Sequence, residues 1–309
     1  MERGERGAGP TRAAGARGFV AAARGLTGAA AGLLAALLAG VAAGGEVRAA
    51  GYDLLFGAGH IDGMFLGDND QALDDLFLQL EFGGAGSRVS IRAPYVRINR
   101  TGNVTFAPEG AVVLGAGGEG RPPWQTSDAG DSASGWGDVL VRSETWLMKA
   151  AAGNHPTLSL IADFKWSTAD QGEGLGTGGN DYGAGLDYVQ PLGKMFQIRG
   201  DAFYRFTGSP EGVDFNDRLR LAAGFGILTA HAAWRLGYET VSPILDEVPL
   251  YDAAGVATGI VEVEDYEVVR GEAVLKNQAG GSVKIWALMG LNDSSPDIGF
   301  GLTFASKAL

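Results

Sequence analysis

From Leu158 to Tyr238 the chain alternates between apolar and polar side chains, broken by glycine-rich gaps. Leu158, Leu160, Ala162, Phe164 and Trp166 share one parity; Ser159, Asp163 and Lys165 take the other, with Ile161 the exception. Leu219, Leu221, Ala223, Phe225 and Ile227 repeat the pattern against Arg218, Arg220, Gly224 and Gly226. A period of two puts successive side chains on opposite faces of a strand. A continuous apolar face backed by charges, sustained over many strands, predicts a closed β-barrel in lipid.

The same pattern predicts strands near 76–82, 88–98, 138–148, 158–166, 181–189, 196–207, 218–228, 232–240, 266–276, 283–291 and 298–304. Short gaps fall at 83–87, 190–194, 229–231 and 277–282, with a longer one of the same set at 149–157. Long polar or glycine-rich gaps fall at 99–137, 167–180, 208–217, 241–265 and 292–297. Outer-membrane barrels have short periplasmic turns and long external loops. The strand at 76–82 ends in a short turn, so it runs inward, and a secreted chain starts on the periplasmic side. One more strand must precede it, and 52–66 is the segment available, with Tyr52, Leu54, Phe56 and Ala58 alternating against Asp53, Leu55, Gly57 and Gly59. The expectation is an all-β, transmembrane, antiparallel up-and-down barrel of about twelve strands, both termini periplasmic.

The first fifty residues follow a different rule. Arg3, Arg6, Arg12, Arg17 and Arg24 precede an Ala- and Leu-rich run from Leu26 to Val41, and Val47-Arg48-Ala49 follows as a small-x-small site. This predicts a secretory signal peptide over 1–49 and a barrel over 50–309, with an uncleaved anchor helix as the alternative. Beyond it no segment reaches the roughly 20 apolar residues that a spanning helix needs. A chain that spans lipid without such a helix must close its strands, because lipid satisfies no backbone groups.

The chain has no cysteine, 51 glycines and a formal net charge of −12. Without cysteine there are neither disulfides nor thiolate metal sites. The acidity argues against nucleic acid as a partner. The rival fold is a soluble sandwich or lipocalin-like barrel with the apolar parity inside. Glycine on both parities leaves few large side chains for a thick core. Tyr95, Trp146, Trp166, Tyr182, Phe196, Phe206 and Phe304 also sit near strand ends, where interfacial girdles place aromatic residues.

Specific strings carry a resemblance. Ser90-Ile91-Arg92-Ala93-Pro94-Tyr95-Val96-Arg97, Ser134-Gly135-Trp136-Gly137-Asp138-Val139 and the run Gly174-Leu175-Gly176-Thr177-Gly178-Gly179-Asn180-Asp181-Tyr182-Gly183 come in that order. Tyr204-Arg205-Phe206-Thr207-Gly208-Ser209-Pro210 and Ser294-Ser295-Pro296-Asp297-Ile298-Gly299 follow. Across roughly 75–304 the chain resembles the outer-membrane transporter family called "MetA-pathway of phenol degradation" proteins. The resemblance implies a β-barrel and a transport role, with aromatic compounds suggested by the name. Barrels of this kind usually end in an aromatic residue, whereas this chain continues past Phe304 to Leu309.

If the apolar parity faces lipid, the lumen receives Glu81, Arg92, Arg142, Glu144, Asp163, Lys165, Asp187, Arg199, Asp201, Arg205, Arg218, Arg220, Arg235, Glu239, Arg270, Glu272 and Lys284. An Arg or Lys left in mid-depth lipid costs about 2–4 kcal/mol. Arg199, Asp201, Arg205, Arg218 and Arg220 lie on consecutive strands and form the candidate selectivity patch, with Arg235, Asp163, Lys165 and Asp187 beside it. Unpaired guanidinium groups there favour anions or carboxylated aromatics. Paired with Asp163, Asp187 and Asp201, the same arginines instead fill the interior as an ionic network.

Other signals are weaker. Gly174, Gly176, Gly178 and Gly179 lack the Lys-Ser/Thr and the following helix of a phosphate loop. Asp68, Asp70, Asp74 and Asp75 read as an external loop without calcium-loop spacing, and Asp128, Asp131 and Asp138 as another. Glu247, Glu262, Glu264 and Asp265 form a further acidic loop that meets lipopolysaccharide through divalent cations. His60, His155 and His231 have no Ser and acid on one face, so no hydrolytic triad is expected. The sequence therefore predicts a monomeric channel, not an enzyme, without cofactor or metal. Its partners are outer-membrane lipid, the barrel-assembly machinery and a small solute. The alternative is a closed structural or surface-binding barrel acting through acidic external loops.

Overall fold

Alternation along the chain becomes two differently lined surfaces once neighbouring strands pair in register. The computed structural model describes residues 52–64, 70–99, 104–106, 112–114, 132–149, 154–170, 175–209, 215–244, 247–251, 257–276 and 281–307. The leader expected over 1–49 lies outside them, as do Asp68, Asp128 and Asp131.

The strands are β1 (Tyr52–Met64), β2 (Asp70–Gly83), β3 (Ser87–Asn99), β4 (Val104–Phe106), β5 (Val112–Leu114), β6 (Ser132–Trp136), β7 (Val139–Met148), β8 (Thr157–Trp166) and β9 (Asp181–Leu192). They continue with β10 (Phe196–Phe206), β11 (Arg218–Leu228), β12 (Ala232–Val241), β13 (Glu247–Tyr251), β14 (Ala257–Glu262), β15 (Tyr266–Lys276), β16 (Ser282–Gly290) and β17 (Ile298–Lys307). Each barrel strand pairs antiparallel with its neighbour, and β1 closes the ring against β17. β6 and β7 share one place in the wall. β3 pairs with β7 over Ser87–Arg92 and with β6 over Tyr95–Asn99. Pro94, which has no N–H for the ladder, sits at the changeover, and its carbonyl accepts from Gly137 N at 2.8 Å. The result is a closed twelve-strand antiparallel barrel, the predicted fold.

Every segment marked as a strand in the sequence is one. The differences lie in the gaps. β2 begins at Asp70, so Asp70, Asp74 and Asp75 belong to the wall rather than to an external loop. The alternation extends through them: Leu73 faces inward opposite Ile61, and Asp75 is buried inside. Asp138 is likewise not a loop acid but turns inward beside β7. Two hairpins, β4–β5 and β13–β14, occupy the longest gaps, and β13–β14 takes up Glu247 and Glu262. The last strand runs on beyond Phe304, where Ala305, Ser306 and Lys307 pair with Leu55, Leu54 and Asp53. Phe304 stacks on Phe56 across the seam, ring centroids 5.0 Å apart.

Leu221, Phe225, Leu236, Ile285 and Leu302 are among many large apolar side chains exposed on the outer face. Surface of this kind is expensive in water and is covered in a bilayer. Short turns close one end, called here the turn end, with Gly193 taking the positive φ of 75° that its turn demands. The long connections leave from the opposite, loop end.

Candidate functional site

The inward parity changes character along the barrel axis. On β3 it reads Arg88, Ser90, Arg92 and Pro94 and then Val96 and Ile98. On β15 and β16 the loop-end positions are Tyr266, Val268 and Leu288, while Glu272 and Lys284 lie nearer the turns. The turn-end half therefore encloses a charged cavity of about 580 Å³. The loop-end half is packed. Ile61, Leu73, Val96, Ile98, Val241 and Val268 join Leu175, Phe215 and Ile244 from the loops in one buried apolar cluster. Its wall members come from β12, β15, β16, β1, β2 and β3, an arc of the ring interrupted by β17, and the loop residues pack against them on the inside.

Register explains the ionic pairs in the cavity. Asp201 stands opposite Asp187 on β9 and Ala222 on β11. Each aspartate therefore reaches a diagonal arginine: Arg199 to Asp187 at 3.0 Å and Arg220 to Asp201 at 2.9 Å. Arg235 lies directly across from Glu272 and meets it at 3.4 Å, with Arg270 3.3 Å from the same carboxylate. Near the turns Arg88 bonds Glu144 at 2.6 Å. Among the described residues, seven acidic and seven basic side chains line the cavity.

The nine sequence-chosen residues all face inward, but the structure divides them. Asp187, Arg199, Asp201 and Arg220 line the cavity, and Arg235 borders a smaller pocket beside it. Asp163, Lys165, Arg205 and Arg218 are buried towards the loop end. Arg205 reaches across β9 to Asp163 at 2.7 Å. The strand between them offers Gly183, where a Cβ would collide with Phe203 and Asp163. Lys165 lies within reach of Asp138 (3.4 Å), Asp181 (3.1 Å) and the Thr177 hydroxyl. The ionic-network reading thus fits the pairs with Asp163, Asp187 and Asp201.

Sequence reasoning passed over the inward aromatic residues. Phe203 lies in the charged parity of β10, with Arg220, Arg205 and Arg142 at 5.5, 5.7 and 5.9 Å from its ring centroid. Arg92 lies 3.9 Å from the centroid of Phe77, and Arg270 5.0 Å from that of Trp286. Each ring rests over glycine: Phe77 over Gly57, Trp286 over Gly59 and Gly301, Phe203 over Gly183 and Gly185. The available signal was an aromatic residue on an otherwise charged parity, with glycine on the facing strand.

Among the described residues no group of three or more His, Asp or Glu is placed to hold a metal ion. His60 faces outward and lies 2.7 Å from Asp74, while His155 and His231 are exposed at the turn end.

No protein-family model matches the sequence, and no curated protein does. Solved structures do resemble the fold. An outer-membrane channel from Pseudomonas putida F1 superposes with a TM-score of 0.59 at 13% identity, over 84% of this chain and 96% of that one. The TodX monoaromatic hydrocarbon channel, as a deletion mutant, gives 0.45 at 11% identity over 83% and 90%. The translocator domain of the autotransporter NalP from Neisseria meningitidis gives 0.43 at 11% over 91% and 97%. The first of these likenesses establishes the barrel fold and nothing finer.

Proposed function

We propose that this chain is an outer-membrane channel through which small solutes, aromatic or hydrophobic compounds among them, pass by diffusion. One observation carries the reading: a charged cavity of about 580 Å³ is enclosed by a wall whose outer surface is apolar. Such a wall is stable in lipid, and such a cavity leaves room for a small solute inside it. In this reading residues 1–49 direct export and are removed, and the barrel-assembly machinery inserts the remainder as a monomer. The resemblance in sequence strings and the likeness in fold to a channel from Pseudomonas putida F1 agree with it.

Arg199, Asp201, Asp187 and Arg220 line the cavity and are the residues to set its preference among ions; Arg235 supports them through Glu272. Asp163, Lys165, Arg205 and Arg218 act on the wall and the loops, because they are buried there. Removing a guanidinium in a narrow lumen alters the field that a passing ion meets. Arg220→Ala, measured in a planar bilayer under a salt gradient, should shift the reversal potential towards cation preference. An unchanged potential would remove Arg220 from the path.

A second reading has an observation of its own. The apolar cluster across the loop end and the paired charges suit a closed barrel that works through its surface. Refolded protein without single-channel current, together with normal solute uptake in a deletion strain, would favour that reading.

A further inference from the structure

The run from Leu175 to Asn180, glycine-rich and without a phosphate to hold, has another use. It folds into the loop end of the lumen. Leu175 is buried in the apolar cluster, against Gly135 of β6, where a Cβ would lie 2.5 Å from the leucine Cδ1. Gly176 packs on Ala169 and the Asp138 carboxylate, and Gly179 on the backbone of Gly208, so neither position has room for a side chain. Gly178 has a φ of 74°.

One cation ties this segment down. The ammonium of Lys165 is 3% exposed and donates to Thr177 Oγ1, with Asp138 and Asp181 at 3.4 and 3.1 Å. Asp138 Oδ1 also accepts from Thr168 N and Ala169 N, both at 3.0 Å, and Asp181 Oδ1 accepts from Gly208 N at 3.0 Å. β7, β8, β9 and both neighbouring loops therefore meet at a single side chain. A buried charge between two carboxylates is costly to break from one side, because what remains is unpaired.

We infer that residues 175–180 are a plug latched inside the barrel by Lys165, and that freeing the latch withdraws Leu175 from the lumen. The effect on current rests on the channel reading above; the withdrawal of Leu175 does not. Because the chain has no cysteine, Leu175→Cys gives a single reporter. In the folded full-length protein in detergent micelles, a polar maleimide should label it at least about tenfold faster in a Lys165→Met background than with Lys165 present. Thr177→Val removes one bond and leaves the charges, and should accelerate labelling in the same direction but less. Equal rates in folded barrels, judged by heat-modifiable gel migration, overturn the latch. If Lys165→Met fails to fold, Thr177→Val decides by the same criterion.

Planar-bilayer current separates this inference from the channel reading. A Gly135→Cys, Leu175→Cys pair, once oxidised, should lower the current, and reductant should restore it. Lys165→Met should raise the current above that of the parent. Faster labelling with no current in any variant upholds the latch and removes the channel. A parent current that neither the cross-link nor Lys165→Met changes overturns the plug and leaves the channel.

Discussion

Arg205 and Asp163 have each given up water to meet inside the wall, and the contact returns that cost only while both are present. Asp163 is fully buried and Arg205 nearly so. Asp163→Ala should therefore destabilise the folded barrel by about 3–5 kcal/mol, since it strands a guanidinium. The paired change Asp163→Leu, Arg205→Met should recover most of that loss. Guanidinium unfolding in detergent micelles measures both. Equal losses for the single and double variants would mean that the charges do not act as a pair. Parity alone placed these residues inside, but their partnership was not legible. It depends on Gly183 leaving the space between β8 and β10 open, a relation among three strands far apart in sequence.

At the scale of the element, one position of register separates lipid from lumen. Leu221 faces out and is exposed, while Arg220 beside it faces the cavity. Leu221→Arg should cost about 2–4 kcal/mol, the price of a guanidinium in mid-depth lipid. Ala222→Ser, one residue along and facing inward, should cost little. Folding titrations in lipid vesicles distinguish them, and similar costs would refute the parity assignment. Strand order was legible because the wall strands β8 to β12 and β15 to β17 alternate and because short gaps and long ones take turns between them. The start of β2 was not, because Asp70, Asp74 and Asp75 imitate a loop in composition while pairing as a strand. β4–β5 and β13–β14 escaped for a related reason. They are short hairpins inside long polar gaps, with too few residues for a period to emerge.

Across the whole molecule, the polarity that β3 shows along its length recurs on one side of the ring. Charged inward residues at the turn end give way to the apolar cluster at the loop end on β1, β2, β3, β12, β15 and β16, while β8 to β11 keep Asp163, Lys165, Asp181, Arg205 and Arg218 buried at that end. An apolar constriction opposes ions by shedding water, whereas a charged vestibule admits them. A charged reagent should therefore reach the cavity from the turn end and be held back at the other. Ser282 lines the cavity beside the turn between β15 and β16, and Ser282→Cys would be the only thiol in the chain. With barrels inserted in one orientation in a planar bilayer, a negatively charged methanethiosulfonate added on the turn side should reduce the current. Added on the loop side, it should act at least about tenfold more slowly. Equal rates from both sides would mean that the apolar cluster is no barrier. In the Lys165→Met background the difference should shrink, because the plug and the apolar cluster share Leu175, and a lumen freed of that side chain offers the reagent a second way in.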